Sequence, residues 1–266
     1  MIAIPEGNRL IGSDRHYPEE RPQRLGFVAA FALDVTPVTN AAFAAFVADT
    51  GYVTQAEQSG SGVFQMTSGP VPLSEPQRWW RFDPEASWRA PRGAGSSYLD
   101  VLEHPVTHVT QADAKAFAAW RGARLPTEHE WETAARLDHP EAEYAWGDAF
   151  KPAGQLWANV WTGSFPWYFA REGAPGPSAV GSYPASRAGF FDLIGNVWEW
   201  TSSRFDGSGD CGCAPPAVGE ERLLTLKGGS HLCAGEYCAR YRPAARIGVT
   251  AATSTSHIGF RCARTL

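Results

Sequence analysis

"GSYPASRAGFFDLIGNVWEW", residues 181–200, decides how this chain folds. Glycine, proline and serine interrupt it every few residues, and nothing between them is long enough for a regular helix. It reads as short strands joined by frequent turns. Everything after residue 145 reads the same way, from "YAWGDAF" through "NVWTGSFPW". The 266 residues include 27 glycines, 20 prolines and 11 tryptophans, a composition suited to short elements and long, well-packed loops. At 44 % hydrophobic the chain is globular rather than disordered, and it is long enough to bury a sizeable core. No internal repeat and no shift in composition marks a boundary. Residues 1–266 are therefore expected to form one α+β domain with little regular secondary structure.

The regular elements are expected upstream. "MIAIPEGNRLIGS" suggests an opening hairpin. "FALDVTPVTNAAFAAFVADTG" reads as a strand and then a helix, with Thr39 as N-cap, Phe43, Phe46 and Val47 on one face and Gly51 as the stop. "HPVTHVTQADAKAFAAWRG" reads the same way, with Thr110 and Asp113 in a capping-box pattern, and His104 and His108 share one face of its strand. "RLPTEHEWETAARL" starts a further helix at Thr127, with Glu130 three residues on. Residues 55–100 show no periodicity, yet "RWWRF" and "ASWRAP" are buried-type aromatics, which marks a functional or tightly packed loop.

Charge and motifs exclude several classes. The net charge is −5, from 23 basic and 28 acidic residues, and no basic block points to nucleic acid. No apolar run approaches the ~18 residues that cross a bilayer. "MIAIPEGNRL" lacks the charged and apolar regions of a signal peptide, so a soluble cytoplasmic protein is expected, and a monomer. There is no Walker loop, no dinucleotide fingerprint, no Gly-x-Ser-x-Gly elbow, and Thr133 stands where a zinc-protease helix needs its second histidine.

Two of the five cysteines, Cys233 and Cys238, lie in "KGGSHLCAGEYCARYR", residues 227–242. A separation of five does not place them on one face of a helix or strand. They converge only if "AGEY" turns, which Gly235 permits. Converged, they are soft ligands for Cu(I) or zinc, with Arg240 and Arg242 at hand to hold the sulfurs ionised. A local disulfide or two unrelated buried thiols are the alternatives, and spacing by itself favours those. Cys211 and Cys213, in a Gly- and Pro-rich loop, read as structural or incidental. Asp192 and Glu199 flank "LIGNVW" and suit either a hard cation such as calcium or turn capping and solvation.

Taken together, "RLIGSDRHYPEERP", "GYVTQAE", "ASWRAPRGAGSS", "RLPTEHEWE", "GNVWEW", "GGSHLCAGEYC" and "HIGFRC" resemble the formylglycine-generating enzymes, the sulfatase-modifying factors, over nearly the whole chain. "RLPTEHEWE" and "GNVWEW" belong to a wider superfamily and carry the fold alone. "GYVTQAE", "ASWRAPRGAGSS" and the cysteine pair point to the formylglycine branch. The resemblance implies a C-type-lectin-like core. It also implies an activity: O₂- and copper-dependent oxidation of a cysteine to Cα-formylglycine, within a Cys-x-Pro-x-Arg segment of an unfolded sulfatase polypeptide. By the same resemblance Cys233 and Cys238 hold Cu(I), while Ser230, Trp198 and Tyr237 line the pocket. Asp192, Gly195, Val197 and Glu199 hold one calcium, and Asn159 and Val160 correspond to a second.

Three positions depart from the family pattern. His257 stands where relatives often carry Asn, either hydrogen-bonding in its place or contacting the metal. "WYFAREGAPG" is one residue shorter than the family's calcium loop and lacks its Asp. Cys262 matches a cysteine that, in some secreted relatives, pairs with one in the "AFAAW" helix; alanines stand there here, so Cys262 is expected to be a free thiol. The same copper chemistry on another thiol or peptide, and a non-catalytic binding module, are the competing readings. The related iron-dependent sulfoxide synthases need an added helical domain and a histidine cluster that this chain lacks.

Overall fold

The computed structural model describes residues 1–206 and 223–266. Four strands open the chain: β1 (Ile2–Ile4), β2 (Gly7–Ile11), β3 (Arg24–Val28) and β4 (Phe31–Leu33). Helices α1 (Asn40–Thr50) and α2 (Gln55–Ser59) follow, then strands β5 (Ser61–Phe64) and β6 (Trp80–Asp83). Helices α3 (Gln111–Trp120) and α4 (Glu128–Ala135) complete the first half. After a long irregular stretch come β7 (Trp198–Arg204), β8 (Leu224–Lys227), β9 (Arg246–Val249), β10 (Ile258–Gly259) and β11 (Ala263–Thr265).

The strands form two small sheets, ordered β1-β4-β11 and β10-β7-β8-β9, and two ribbons, β2-β3 and β5-β6. The expected opening hairpin does not form. β1 pairs with β4, and β2 pairs with β3. All three residues of β4 are buried, so its backbone needs ladder partners on both edges, and the two ends of the chain supply them as β1 and β11. This arrangement brings the C-terminus back beside the N-terminus. It also draws β10 into parallel pairing with β7, which starts at Trp198.

Helix starts follow their side-chain caps. The Thr39 hydroxyl accepts from the Ala42 N–H, and Gly51 closes α1 with φ 66°. α3 and α4 carry full capping boxes, Thr110 with Asp113 and Thr127 with Glu130, each satisfying amides that a helix start leaves without partners. A third box, Thr54 with Glu57, starts α2 inside the stretch that lacks periodicity. The strand expected over "HPVTHV" is absent. His108 adopts φ 60°, and its amide bonds Thr255 while that of Val106 bonds Val38, so the backbone is spent on two separate loops. His104 and His108 therefore share no strand face.

The main core gathers Phe43, Phe117, Trp131, Trp198, Trp200 and Phe260 from both halves of the chain. A smaller cluster of Trp79, Trp161, Phe165, Leu232 and Ala234 lies beside it and packs on Tyr237. Among the described residues no helix is long and apolar enough to cross a membrane.

Three buried charges join α4 to β8. Lys227 is fully buried, and its ammonium donates to Glu132 at 2.9 Å and to the Ala244 carbonyl at 3.1 Å. The same carboxylate takes Arg136 Nε at 2.9 Å and the Gly12 amide at 2.8 Å. Burial by itself would raise the Glu132 pKa, but Lys227 and Arg136 outweigh it and hold the carboxyl below its ordinary value. Removing the carboxylate leaves two buried cations unanswered. Glu132→Ala is expected to lose about 3–5 kcal/mol of stability, read as a fall in the denaturation midpoint with an unchanged slope.

Candidate active site

β8 ends at Lys227, and the chain must then turn through Gly228 (φ 96°) and Gly229 (φ 74°). A Cβ on Gly228 would lie 2.9 Å from the Leu193 carbonyl oxygen, and one on Gly229 would lie 2.7 Å from that of Arg240. Only glycine meets both the torsion and the close approach. The turn delivers Ser230, whose backbone N–H points at Cys233 Sγ (3.4 Å) and whose carbonyl accepts from the Cys233 N–H (2.9 Å). The Cys238 N–H then bonds the Ala234 carbonyl at 2.8 Å, one helical turn back. Gly235 takes no left-handed torsion here; a single helical turn does the folding, and Cys233 just ahead of it meets Cys238 at its end.

The two sulfurs stand 3.4 Å apart, both almost fully buried. That is far beyond the ~2.0 Å of a disulfide, so the local disulfide is not the arrangement found. Cys262 is a free, buried thiol. Burial, followed by the Asp34 charge, pushes it up to about 12. Cys211 and Cys213 lie outside the described residues.

A cavity of about 10 Å³ sits over the sulfurs, lined by Trp79, Trp80, Phe165, Trp198, Ser230, Leu232, Cys233, Tyr237, Cys238 and His257. All six side chains assigned to the pocket from sequence meet there. Its walls are aromatic: Tyr237 stacks on Phe165 at 4.6 Å, Trp79 meets Tyr237 edge-on at 5.4 Å, and Trp80 lies 4.8 Å from the His257 ring. The indole N–H groups of Trp198 and Trp80 are buried with no partner among the described residues, an unusual state for a donor and one that a ligand could relieve. One ring nitrogen of His257 bonds the Thr255 hydroxyl at 2.7 Å, which leaves Nε2 for the cavity. Burial, then the neighbouring His231 and His108, hold that imidazole well below its ordinary pKa, so it is neutral.

The two arginines behave differently. Arg240 Nη1 reaches Cys238 Sγ at 3.9 Å while Nη2 bonds Glu19 at 2.6 Å, and the guanidinium lies 3.7 Å over the Tyr17 ring. Arg242 pairs with Glu20 through two bonds of 2.7 and 2.8 Å and makes no contact with either sulfur among those described. Of the two, Arg240 is the one that adds positive charge at the cysteines.

A family model, the sulfatase-modifying factor enzyme 1-like domain, matches residues 1–266. The chain is 47 % identical to the formylglycine-generating enzyme of Mycobacterium tuberculosis, covering 98 % of this chain and 96 % of that one. It is 42 % identical to the formylglycine-generating enzyme of Thermomonospora curvata, covering 99 % and 92 %. PvdO of Pseudomonas aeruginosa, a solved structure 23 % identical, aligns with TM-score 0.66 over 99 % of this chain and 93 % of that one, and so shares the fold. This chain belongs to the formylglycine-generating, sulfatase-modifying factor family.

The two positions that the sequence resemblance assigns to calcium fare unequally. At Asn159 and Val160 the residues do not fit calcium. Arg171 Nη2 donates to Asn159 Oδ1 at 2.7 Å and to the Val160 carbonyl at 3.0 Å, so a guanidinium faces the oxygens a cation would take. At the other position, Glu199 is fully buried and accepts from Arg261 Nε (2.7 Å), Arg261 Nη2 (2.8 Å) and Trp131 Nε1 (2.8 Å). Asp192, at φ 54°, accepts from the Gly181 amide at 2.7 Å through one oxygen and lines a small cavity. Burial raises the Asp192 pKa, with the Glu199 charge adding to it against Arg261. Gly195 and Val197 lie on the turn between these carboxylates, so Asp192 keeps an acceptor for a hard cation while Arg261 answers most of the Glu199 charge.

Sequence reasoning did not assign Trp79, Trp80, Phe165 and Leu232 to the cavity. "RWWRF" and "SFPW" were the available signals, since aromatics in an aperiodic loop must pack somewhere.

Behind the site, His108 is fully buried between the Ser61 hydroxyl (2.8 Å) and the Pro91 carbonyl (2.9 Å). Burial, against weaker opposing effects of that carbonyl and of Asp83, pushes its ring down to about 4. Unfolded, it titrates near 6.5. Between those values the unfolded chain holds a proton that the folded one does not. Its contribution to stability is therefore complete above about pH 6.5 and falls as pH drops towards 4, by on the order of 3 kcal/mol. Denaturant unfolding between about pH 7 and pH 4.5 is expected to show this decline, and His108→Gln to make the slope shallower.

Proposed function

We propose that this chain oxidises a cysteine of a sulfatase polypeptide to Cα-formylglycine with O₂, using a copper ion held by Cys233 and Cys238. The reading is supported above all by one observation: two buried sulfurs 3.4 Å apart form the floor of an aromatic cavity whose walls carry unpartnered donors. Two soft sulfur donors suit Cu(I), which when bound supplies the one-electron and O₂ chemistry that protein side chains lack.

The side chains divide the remaining work. Ser230 Oγ accepts the Leu232 N–H at 3.2 Å, which leaves its O–H to donate to a substrate or oxygen atom. The Trp198 indole N–H provides a second donor, and neutral His257 a ring nitrogen of either polarity. Trp79, Phe165 and Tyr237 exclude water. The cavity holds roughly one water molecule, so a substrate thiol enters as a wall residue gives way, and Trp80 and Tyr237 are the half-buried residues among the walls. Calcium at the Asp192 turn is part of the same proposal.

A second reading, the same chemistry on a peptide without the arginine, has its own support. A larger cavity of about 480 Å³ lies next to the site, with Phe64, Met66, Arg92, His104, Pro175 and His231 among its lining. Neither cavity has a carboxylate in its lining among the described residues, so neither offers an anionic partner to a substrate guanidinium.

The deciding assay supplies Cu(I), air and a Cys-x-Pro-x-Arg peptide, and reads the aldehyde by mass spectrometry. Product is expected from the wild type. Cys233→Ser and Cys238→Ser should each lose at least about 100-fold, since losing a mere outer partner of a metal ligand costs about 10–100-fold. Copper bound at one equivalent with no aldehyde formed contradicts the sulfatase assignment. Equal turnover of the peptide with its arginine replaced by alanine favours the second reading.

A further inference from the structure

We infer that Arg171 is the resident cation at the position where relatives are expected to hold calcium through Asn159 and Val160, so that no calcium binds there. Arg171 is built into that position through both of its terminal nitrogens, while Nε is buried with no partner among the described residues. Nη2 takes the Asn159 side-chain oxygen and the Val160 carbonyl, Nη1 donates to the Tyr183 hydroxyl, and the guanidinium lies 4.7 Å over the Phe169 ring. The acidic residue next in sequence, Glu172, is turned out to solvent.

The donor set argues the same way. Calcium takes six to eight oxygens at about 2.3–2.6 Å and draws most of its affinity from carboxylates. Here the oxygens that face inward are an amide and a backbone carbonyl, both neutral, and a permanent positive charge already sits against them. A guanidinium can donate to neutral acceptors such as these without a carboxylate, and unlike an ion it cannot dissociate. Asn159 is itself anchored on its other sides, since its side-chain NH₂ donates to Gly176 and Asn196, and its carbonyl accepts from the Asn196 amide at 2.8 Å. The next residue but one, Trp161, donates its N–H to the Cys233 carbonyl at 3.0 Å. Through this strap the Arg171 charge fixes the backbone that carries one of the two cysteines. In effect the shortened loop has replaced a soluble ion by a side chain.

The test is metal counting and melting of the full chain. The wild type and the variants Asn159→Ala, Asp192→Ala and Arg171→Ala are dialysed against calcium and then analysed for bound calcium. Asn159→Ala is expected to hold as much calcium as the wild type, and Asp192→Ala to lose whatever the wild type holds. In chelator, Arg171→Ala should melt lower by about 5 °C or more, while the wild type keeps the contacts around Asn159 without added ion. An equivalent of calcium on the wild type that survives Asp192→Ala overturns the inference, and so does an Arg171→Ala melting temperature equal to that of the wild type. If Asn159→Ala does not fold, the calcium counts of the wild type and Asp192→Ala decide by themselves. Neither measurement involves turnover, so the result stands apart from the proposed oxidation.

Discussion

The cysteine pair sits on a stretch with no helix or strand, so its shape is set by what it is tied to. Five ties do this. The Gly228–Gly229 turn launches the segment from β8, and the Trp161 amide holds the Cys233 carbonyl. The Tyr17 hydroxyl accepts the Ala239 amide at 3.2 Å, and Glu19 and Glu20 grip Arg240 and Arg242 on the far side. Apart from that turn, every partner comes from a distant part of the chain. Sulfurs held at 3.4 Å without a disulfide are thus a property of the whole fold, and a loop of the same sequence excised from it has no reason to keep them together.

The ion pairs that secure these ties are buried, and burying charge is expensive unless it is paired and hydrogen-bonded. The protein meets that condition repeatedly. Glu132 answers Lys227 and Arg136, Glu199 answers Arg261, and Glu19 and Glu20 answer the two arginines that follow the cysteines. Such pairs add little net stability over apolar packing, but they tolerate no substitute geometry. They specify where an irregular chain goes when secondary structure does not. Arg171 is held differently, by the neutral oxygens of Asn159, Val160 and Tyr183.

Much of the architecture was legible in the sequence, for identifiable reasons. Caps are local chemistry, so Thr39, Thr110 and Thr127 marked their helices correctly. The irregular second half followed from glycine and proline spacing. What was not legible depends on distant partners. β1 leaves β2 for β4 because a strand buried on both edges needs it there, and no pattern within residues 1–13 carries that information. His108 breaks its strand through a torsion dictated by contacts with Pro91 and Thr255. At the site, the sulfur and indole residues could be assigned through family resemblance, but Trp79, Trp80 and Phe165 required the fold. The fate of the Asn159 position was half visible: the missing Asp showed that the loop had changed, while only the structure shows a guanidinium filling the gap.

The central claim is that Cys233 and Cys238 together grip one copper ion, and X-ray absorption at the copper edge of the Cu(I)-loaded protein tests it most directly. The account predicts one copper per chain with sulfur as its principal neighbours, and loss of that sulfur signal when either cysteine is replaced by serine. Copper surrounded only by nitrogen and oxygen, or a sulfur signal unchanged in the Cys233→Ser, Cys238→Ser double variant, would contradict it.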